Sequence, residues 1–461
     1  VDGPASQGGG ARRASAGVGR GSDRGLLGCH VDADPWLRAV LAESKGTIPT
    51  REAYVALPKR AVLAAYASLG LPRRVAEASP LGALAAAASA QPTLERLKAL
   101  KARAAQHRTS WILHDGTAAD AQLSFVGRAL PPAPAEARAE AIRQHREDLT
   151  SVFSTSRSHL SSARLFARAW AAKHMARARR LLDVPDWPTQ SSCLERGSGK
   201  GGLLRHLLAT CAFDELPEGL STDQTGAVAG LDARFVAHSL REFAANPVPE
   251  HRVTCLSERG VKTRVVTVGP AWAQVLGHTV RKRLLRGLRA TPGTFAPLTG
   301  VGDEALVSLF VGGHAETLVS TDLTRATDLL PHDLLQAVID GLEDSGRLSA
   351  LEVSILRSLA GPQVLSYAGE KVTSSRGALM GLPTSWCLLS LIHLWWLDEV
   401  RRTSPRGALR RAHKGSICGD DALLATTREG AARYRSLVAA CGGLPSEGKH
   451  YECHGVGRGY V

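Results

Sequence analysis

The sequence predicts an α+β fold, a small sheet covered by helices, and three observations carry that expectation. After about residue 300, short β-like runs alternate with amphipathic runs. One segment, "TSWCLLSLIHLWWLDEV" at 384–400, is apolar on nearly all sides, as a buried helix is. Hydrophobic residues make up 44% and charged residues 22% of the 461, so a sizeable core is affordable.

Residues 1–30 are rich in Gly, Ala, Ser and Arg with no apolar period, which predicts a disordered basic arm. Residues 31–185 read as a helical N-terminal region. "TLERLKALKARAAQHR" and "SARLFARAWAAKHMARARRLLD" have few helix breakers. The second carries Arg164, Arg168, Lys173, Arg177, Arg179 and Arg180. That stripe is either RNA-facing or an ordinary solvated helix face. Residues 186–300 mix Pro, Gly, β-like runs and basic clusters. "GSGKGG" at 197–202 is not a phosphate loop, because Gly201 follows Lys200 where Ser or Thr is needed. It reads as a strand-contacting loop or a plain surface loop.

Residues 301–461 hold the alternating pattern. "ETLVSTD" (316–322) reads as a strand ending in an acid and "PHDLLQAVIDGLED" (331–344) as an amphipathic helix. "SICGDDALLA" (416–425) reads as a hairpin, and "EGAARYRSLVAACGG" (429–443) as a helix that ends at glycines. The first residue is Val, and Val461 follows "GRGY" directly, so both ends read as cut and a partial chain is expected.

The net charge is +14 and the isoelectric point about 9.7. That balance favours a polyanionic partner, nucleic acid first and an anionic membrane second. Eight cysteines form no C-x-x-C pair, which excludes a zinc ribbon and suits a reducing compartment. The longest apolar run, Trp386 to Leu397, is too short to span a bilayer.

Asp420 and Asp421 sit between flanks that should be buried, and buried charges need partners. A solvated turn is one explanation. The other joins them to Asp322 at the end of its apolar strand. Carboxylate oxygens suit Mg²⁺ or Mn²⁺, and two such ions about 3.5–4 Å apart can activate a 3′-hydroxyl and stabilise a leaving pyrophosphate. Lys262 and Arg264 alternate along a β-like run, so both aim at one face and could grip a triphosphate; taken alone, an exposed basic strand face is the favoured explanation. Gly377 and Gly381 permit a loop that approaches a nucleic-acid backbone. Ser385 caps the following helix or contacts a ribose.

In order, "ERGVKTRVVT", "STDLTRATDLLP", "RGALMGLPTSW…IHLWW" and "CGDDALL" resemble motifs F, A, B and C of viral RNA-dependent RNA polymerases. The D-x₅-D spacing, the "MGLPTSW" loop with His393 and the "CGDDALL" hairpin look closest to the narnavirus, mitovirus and ourmia-like group, and within it to ourmia-like viruses of fungi (botourmiaviruses). The resemblance covers roughly 190–461.

It implies a right-hand polymerase, with fingers at 186–300 and a palm at 301–461 built on an RRM-like sheet. The motif B loop would be 376–386, the motif C hairpin 416–425, and the thumb largely missing. Asp322, Asp420 and Asp421 would bind two Mg²⁺ or Mn²⁺ ions. Lys262 and Arg264 would hold the nucleotide phosphates, Asp328 would read the ribose 2′-hydroxyl, and Ser385 would help place the ribose. Gly377 and Gly381 would lie against RNA. Lys449 falls where the family's motif D lysine protonates the leaving pyrophosphate. Leu389 departs from the pattern, since many related polymerases carry Asn there. The implied partners are an RNA template, its product strand and ribonucleoside triphosphates, in replication of a positive-sense single-stranded genome in the host cytoplasm. Two rivals are kept: a reverse transcriptase, which shares the palm acids, and a non-catalytic RNA-binding or nucleocapsid protein, which needs only the charge.

Overall fold

The computed structural model describes short pieces between 94 and 106, then 132–178, 182, 185–211, 227–294, 316–404, 414–447 and 449–454. The expected basic arm, most of 31–131, Arg179, Arg180 and everything after His454 lie outside the described residues.

Two helices lead, α1 (Ala135–Thr150) and α2 (Arg157–His174). Ser156 caps α2 by accepting from the His159 N–H. The helical run was expected to continue to 183, but α2 ends at His174 and Met175 is extended (ψ 135°). Tertiary packing overrides propensity here: Met175 is buried against Gly287, beside Trp170. The arginine stripe of α2 is partly paired with the protein's own acids at the surface. Arg164 makes two hydrogen bonds to Asp344, at 2.6 and 2.9 Å.

Helices α3 (Gly202–Cys211) and α4 (Ala227–Ala245) precede the hairpin β1 (Glu250–Glu258) and β2 (Lys262–Val268), and then α5 (Ala271–Arg289). After β3 (Thr317–Thr321) come α6 (His332–Asp344) and α7 (Ala350–Ala360), the hairpin β4 (Val364–Tyr367) and β5 (Glu370–Thr373), and α8 (Ser385–Thr403). The hairpin β6 (Lys414–Cys418) and β7 (Asp421–Thr426), α9 (Arg428–Ala440) and β8 (Tyr451–His454) complete the described chain.

The α+β class holds, but the single small sheet becomes two four-stranded sheets, in the orders β2-β1-β4-β5 and β6-β7-β3-β8. The first is mixed, with β1 and β4 parallel. Its two hairpins are about a hundred residues apart in sequence, so no local pattern announces that they pair. The second is antiparallel throughout. Helix α8 is apolar all round because it packs against α2, α5, α6, α9 and β6 at once. Trp395 and Trp396 on it are fully buried.

Candidate active site

Strand β3 runs beside β7 with Thr321 opposite Ala422, and Cys418 of β6 faces Asp421 of β7. Asp322, one residue past β3, therefore lies at the same end of the sheet as Asp420 and Asp421. The turn between β6 and β7 needs its glycine. Gly419 has φ +68°, and a Cβ there would stand 2.3 Å from Nε1 of Trp386. The backbone of Asp322 is also tied to the last segment: its carbonyl accepts from the Ser446 N–H at 2.7 Å, and Thr324 donates to Leu444 at 2.8 Å. That pairing brings Lys449 onto Asp322, where Nζ and Oδ2 form an ion pair.

A buried polar network supports this end of the sheet. His393 of α8 is fully buried and its pKa is lowered to about 4 by burial, so the ring is neutral. Nδ1 sits 2.9 Å from the Gly419 carbonyl, so Nδ1 carries the proton and donates. Nε2 then accepts from the Tyr434 hydroxyl at 2.6 Å. Tyr434 is hydrogen-bonded in turn to Thr321, next to Asp322. One imidazole thus links both acid-bearing strands. The sequence marked His393 only as part of a motif; a lone His in an apolar helix is the signal that pointed to it.

Burial raises the pKa of Asp420, and the charges of Asp322 and Asp421 raise it further. Asp421 is raised by burial and then by Asp322. Lys449 opposes both effects. Three hard anionic donors that disfavour one another's charge fit a divalent cation. As arranged, no three Asp, Glu, His or Cys side chains among the described residues are grouped so as to hold a metal ion. Lys449 holds the cationic position at Asp322 instead.

Lys262 and Arg264 project from β2 and pair with Glu258 of β1, at 3.5 and 3.2 Å. A residue that sequence reasoning missed joins them. Lys101 donates to the Val261 carbonyl at 3.5 Å. Its pKa is lowered by burial and then by the positive charges of Lys262 and Lys449. Lys101 is therefore tied to the turn before β2 and lies within reach of the Lys449 charge. It lies in a run of helix-favouring residues with nothing to distinguish it from a solvated face.

The loop of 376–386 is packed against its neighbours at both glycines. Gly377 (φ +99°) abuts Leu149 and the Asp328 backbone, and Gly381 (φ +122°) leaves 2.3 Å between a built Cβ and the Thr267 carbonyl. Asp328 lies under this loop, 8% exposed. Burial, reinforced by Asp148, raises its pKa to about 7. Ser385 is buried and its hydroxyl donates to the Leu379 carbonyl at 2.9 Å, tying the loop to α8. Leu389 is buried within α8. His450 is taken up by Thr321 and Glu452, at 2.9 and 3.0 Å.

The fold and this site define a class: an α+β protein with three acids gathered at one sheet end and a lysine paired to one of them. No family model matches the chain. It is 36% identical over 343 residues to the RNA-directed RNA polymerase of Saccharomyces 20S RNA narnavirus, covering 72% of this chain and 41% of that protein. It is 31% identical over 365 residues to the RNA-directed RNA polymerase of Saccharomyces 23S RNA narnavirus, covering 72% and 37%. The chain is thus a homologue of the narnaviral RNA-directed RNA polymerases. It spans about two fifths of the length of the curated relatives it matches. Among the described residues no helix is long and apolar enough to cross a membrane.

Proposed function

We propose that this chain carries the catalytic palm and part of the fingers of a viral RNA-directed RNA polymerase that replicates a positive-sense single-stranded RNA genome in the host cytoplasm. Its sequence motifs favour an ourmia-like relative of the narnaviruses. The observation that supports the reading best is the convergence of Asp322, Asp420 and Asp421 at one end of the β6-β7-β3-β8 sheet, with Lys449 against them.

Asp322 and Asp420, assisted by Asp421, would hold two Mg²⁺ or Mn²⁺ ions, which supply activation of the 3′-hydroxyl and neutralise charge on the leaving pyrophosphate. Lys262 and Arg264 draw the incoming triphosphate toward the acids, exchanging Glu258 for phosphate oxygens. Asp328 takes the ribose 2′-hydroxyl, and Ser385 fixes the loop that frames the sugar. Gly377 and Gly381 give the loop the backbone shape that would set it against the RNA strand, the Gly377 amide itself being spent on Leu330. Lys449 leaves Asp322 as the acids are neutralised and protonates the pyrophosphate. Catalysis on this scheme is positioning and charge neutralisation.

The test is primer extension on an RNA template with ribonucleoside or 2′-deoxyribonucleoside triphosphates. Ribonucleotide incorporation is expected, and Asp420→Asn should abolish it while RNA affinity persists. Unchanged synthesis by Asp420→Asn sinks the metal assignment. Preference for deoxynucleotides would assign a reverse transcriptase, and RNA binding without incorporation would leave only a basic binding protein.

A further inference from the structure

Helix α1 belongs to the N-terminal region for which the sequence offered no role, yet it ends inside the candidate nucleotide corner. The Leu149 carbonyl accepts from the N–H groups of Ser375 and Arg376, at 2.7 and 3.3 Å. The Leu149 side chain fills the space beside Gly377. From the other side, Gly377 donates to Leu330 at 2.7 Å and Ala378 to Thr327 at 2.8 Å. Asp328 is enclosed between these contacts.

The turn that carries Asp328 starts at Arg325. Arg325 has φ +50°, a left-handed conformation that a non-glycine residue adopts only at a cost. Its carbonyl accepts from the N–H groups of Asp328 and Leu329, at 3.0 and 3.1 Å. Its guanidinium is committed elsewhere: Nη1 lies 3.0 Å from Oδ2 of Asp148. Asp148 is buried, and its other oxygen accepts from Gln144 at 3.1 Å. Among the described residues no ion pair joins Arg325 to Asp328, although the two are close enough for the cation to be felt there. The one side-chain hydrogen bond of Asp328 among them comes from Thr327, at 3.3 Å.

We propose that Asp148 is a positioning residue for ribose recognition: by holding the Arg325 guanidinium it keeps that cation off Asp328, and so leaves the Asp328 carboxyl group free for the 2′-hydroxyl of an incoming ribonucleotide. The inference rests on the polymerase reading above and deepens it. Asp148 is the acid paired with Arg325 among the described residues, and the Arg325 charge already reaches Asp328; an Asp328 clamped by a bidentate guanidinium has fewer lone pairs left for a sugar.

The experiment measures the ratio of ribonucleotide to 2′-deoxyribonucleotide incorporation on the full chain. Equilibrium affinities for ATP and dATP are measured beside it, so that the readout does not depend on turnover alone. Asp148→Asn should lower the ratio about tenfold, the scale of one charge-assisted hydrogen bond, through a higher KM for ribonucleotides with kcat kept. Asp148→Glu, which keeps the charge, should retain most of the preference. Adding Arg325→Met to Asp148→Asn should restore it, because no cation then remains to occupy Asp328. A merely structural loss at Asp148 would not be repaired by a second substitution. An unchanged ratio and unchanged affinities in Asp148→Asn, or no recovery in the double variant, overturns the proposal. The polymerase reading is judged separately. If wild type incorporates nucleotides and Asp420→Asn does not, that reading survives even when the Asp148 inference fails. If wild type neither incorporates nor binds nucleotides, both fall.

Discussion

Nδ1 of His393 lies 2.9 Å from the carbonyl oxygen of Gly419, one residue before Asp420. The same ring reaches Tyr434 through Nε2, and Tyr434 reaches Thr321, one residue before Asp322. The two backbone positions that aim the acids therefore share one buried imidazole. Replacing it strands the Gly419 carbonyl in the core and leaves the Tyr434 hydroxyl with Thr321 alone. His393→Ala is expected to cost about 2–4 kcal/mol, from two lost hydrogen bonds plus a cavity. Nucleotide incorporation should fall further than stability alone explains, because the Gly419 turn loses its anchor. Urea denaturation and primer extension on the same preparation check both parts. Full activity at unchanged stability would show that the network is idle.

Lys449 pairs with Asp322, so it competes with a cation for that carboxylate. Lys449→Met should therefore bind Mn²⁺ more tightly, which calorimetric titration reads directly. Its catalytic effect should run the other way. Loss of a general acid lowers turnover by roughly 10²–10⁴-fold, with the nucleotide KM little changed. Weaker Mn²⁺ binding in the variant would contradict the competition, and normal turnover would remove Lys449 from the chemistry.

Lys101 feels the charges of Lys262 and Lys449, and Lys449 is paired with Asp322. Lys101→Ala removes one cation from the group proposed to meet the triphosphate. The nucleotide KM should rise about tenfold, from the ~1.5 kcal/mol of one charged hydrogen bond, with turnover nearly intact. The rise should shrink at high salt, as for any exposed charge contact. A KM within error of wild type at low salt would place Lys101 outside the nucleotide path.

Much of the fold's second half is legible in the sequence, because each element there has a local cause. The strand before Asp322 alternates, the 384–400 helix is apolar all round, and Gly419 and Gly442 mark a turn and a helix end where φ is positive. The convergence of Asp322 with Asp420 and Asp421 follows once the strands are paired in order. What stays illegible depends on contacts between distant segments. Nothing around Asp148 or Lys101 distinguishes them from solvated helix positions; only the docking of α1 against 375–377, and the approach of Lys101 to Val261, gives them partners. The end of α2 at His174 is hidden for the same reason, since Met175 leaves the helix to fill a gap beside Gly287. Ser385 shows the converse: its place in the motif is plain, but its hydroxyl is bonded to Leu379.

Three buried histidines set the expected response to acid. Burial lowers the pKa of His145, His251 and His393 to about 4, against 6.5 for a free imidazole. His145 is bonded to the Tyr367 hydroxyl and His251 to Gln363, at 2.8 and 3.0 Å. For a group whose folded pKa is lowered in this way, the unfolded chain binds the proton first. Its contribution to stability is complete above pH 6.5 and is lost as pH falls toward 4. At pH 5 each of the three costs roughly 2 kcal/mol, from about 1.4 kcal/mol per pH unit. Asp328 acts in the opposite sense. Its pKa is raised to about 7, so the folded chain binds that proton first and gains stability as pH falls from 7 toward 4. Asp420 and Asp421, also raised, add to that gain. Three imidazoles outweigh one strongly shifted carboxyl, so the melting temperature should drop between pH 7 and pH 5. In Asp328→Asn the compensating gain is gone and the drop should steepen. A flat or rising melting temperature over that interval would show that these rings take up protons in the folded state without opening the core.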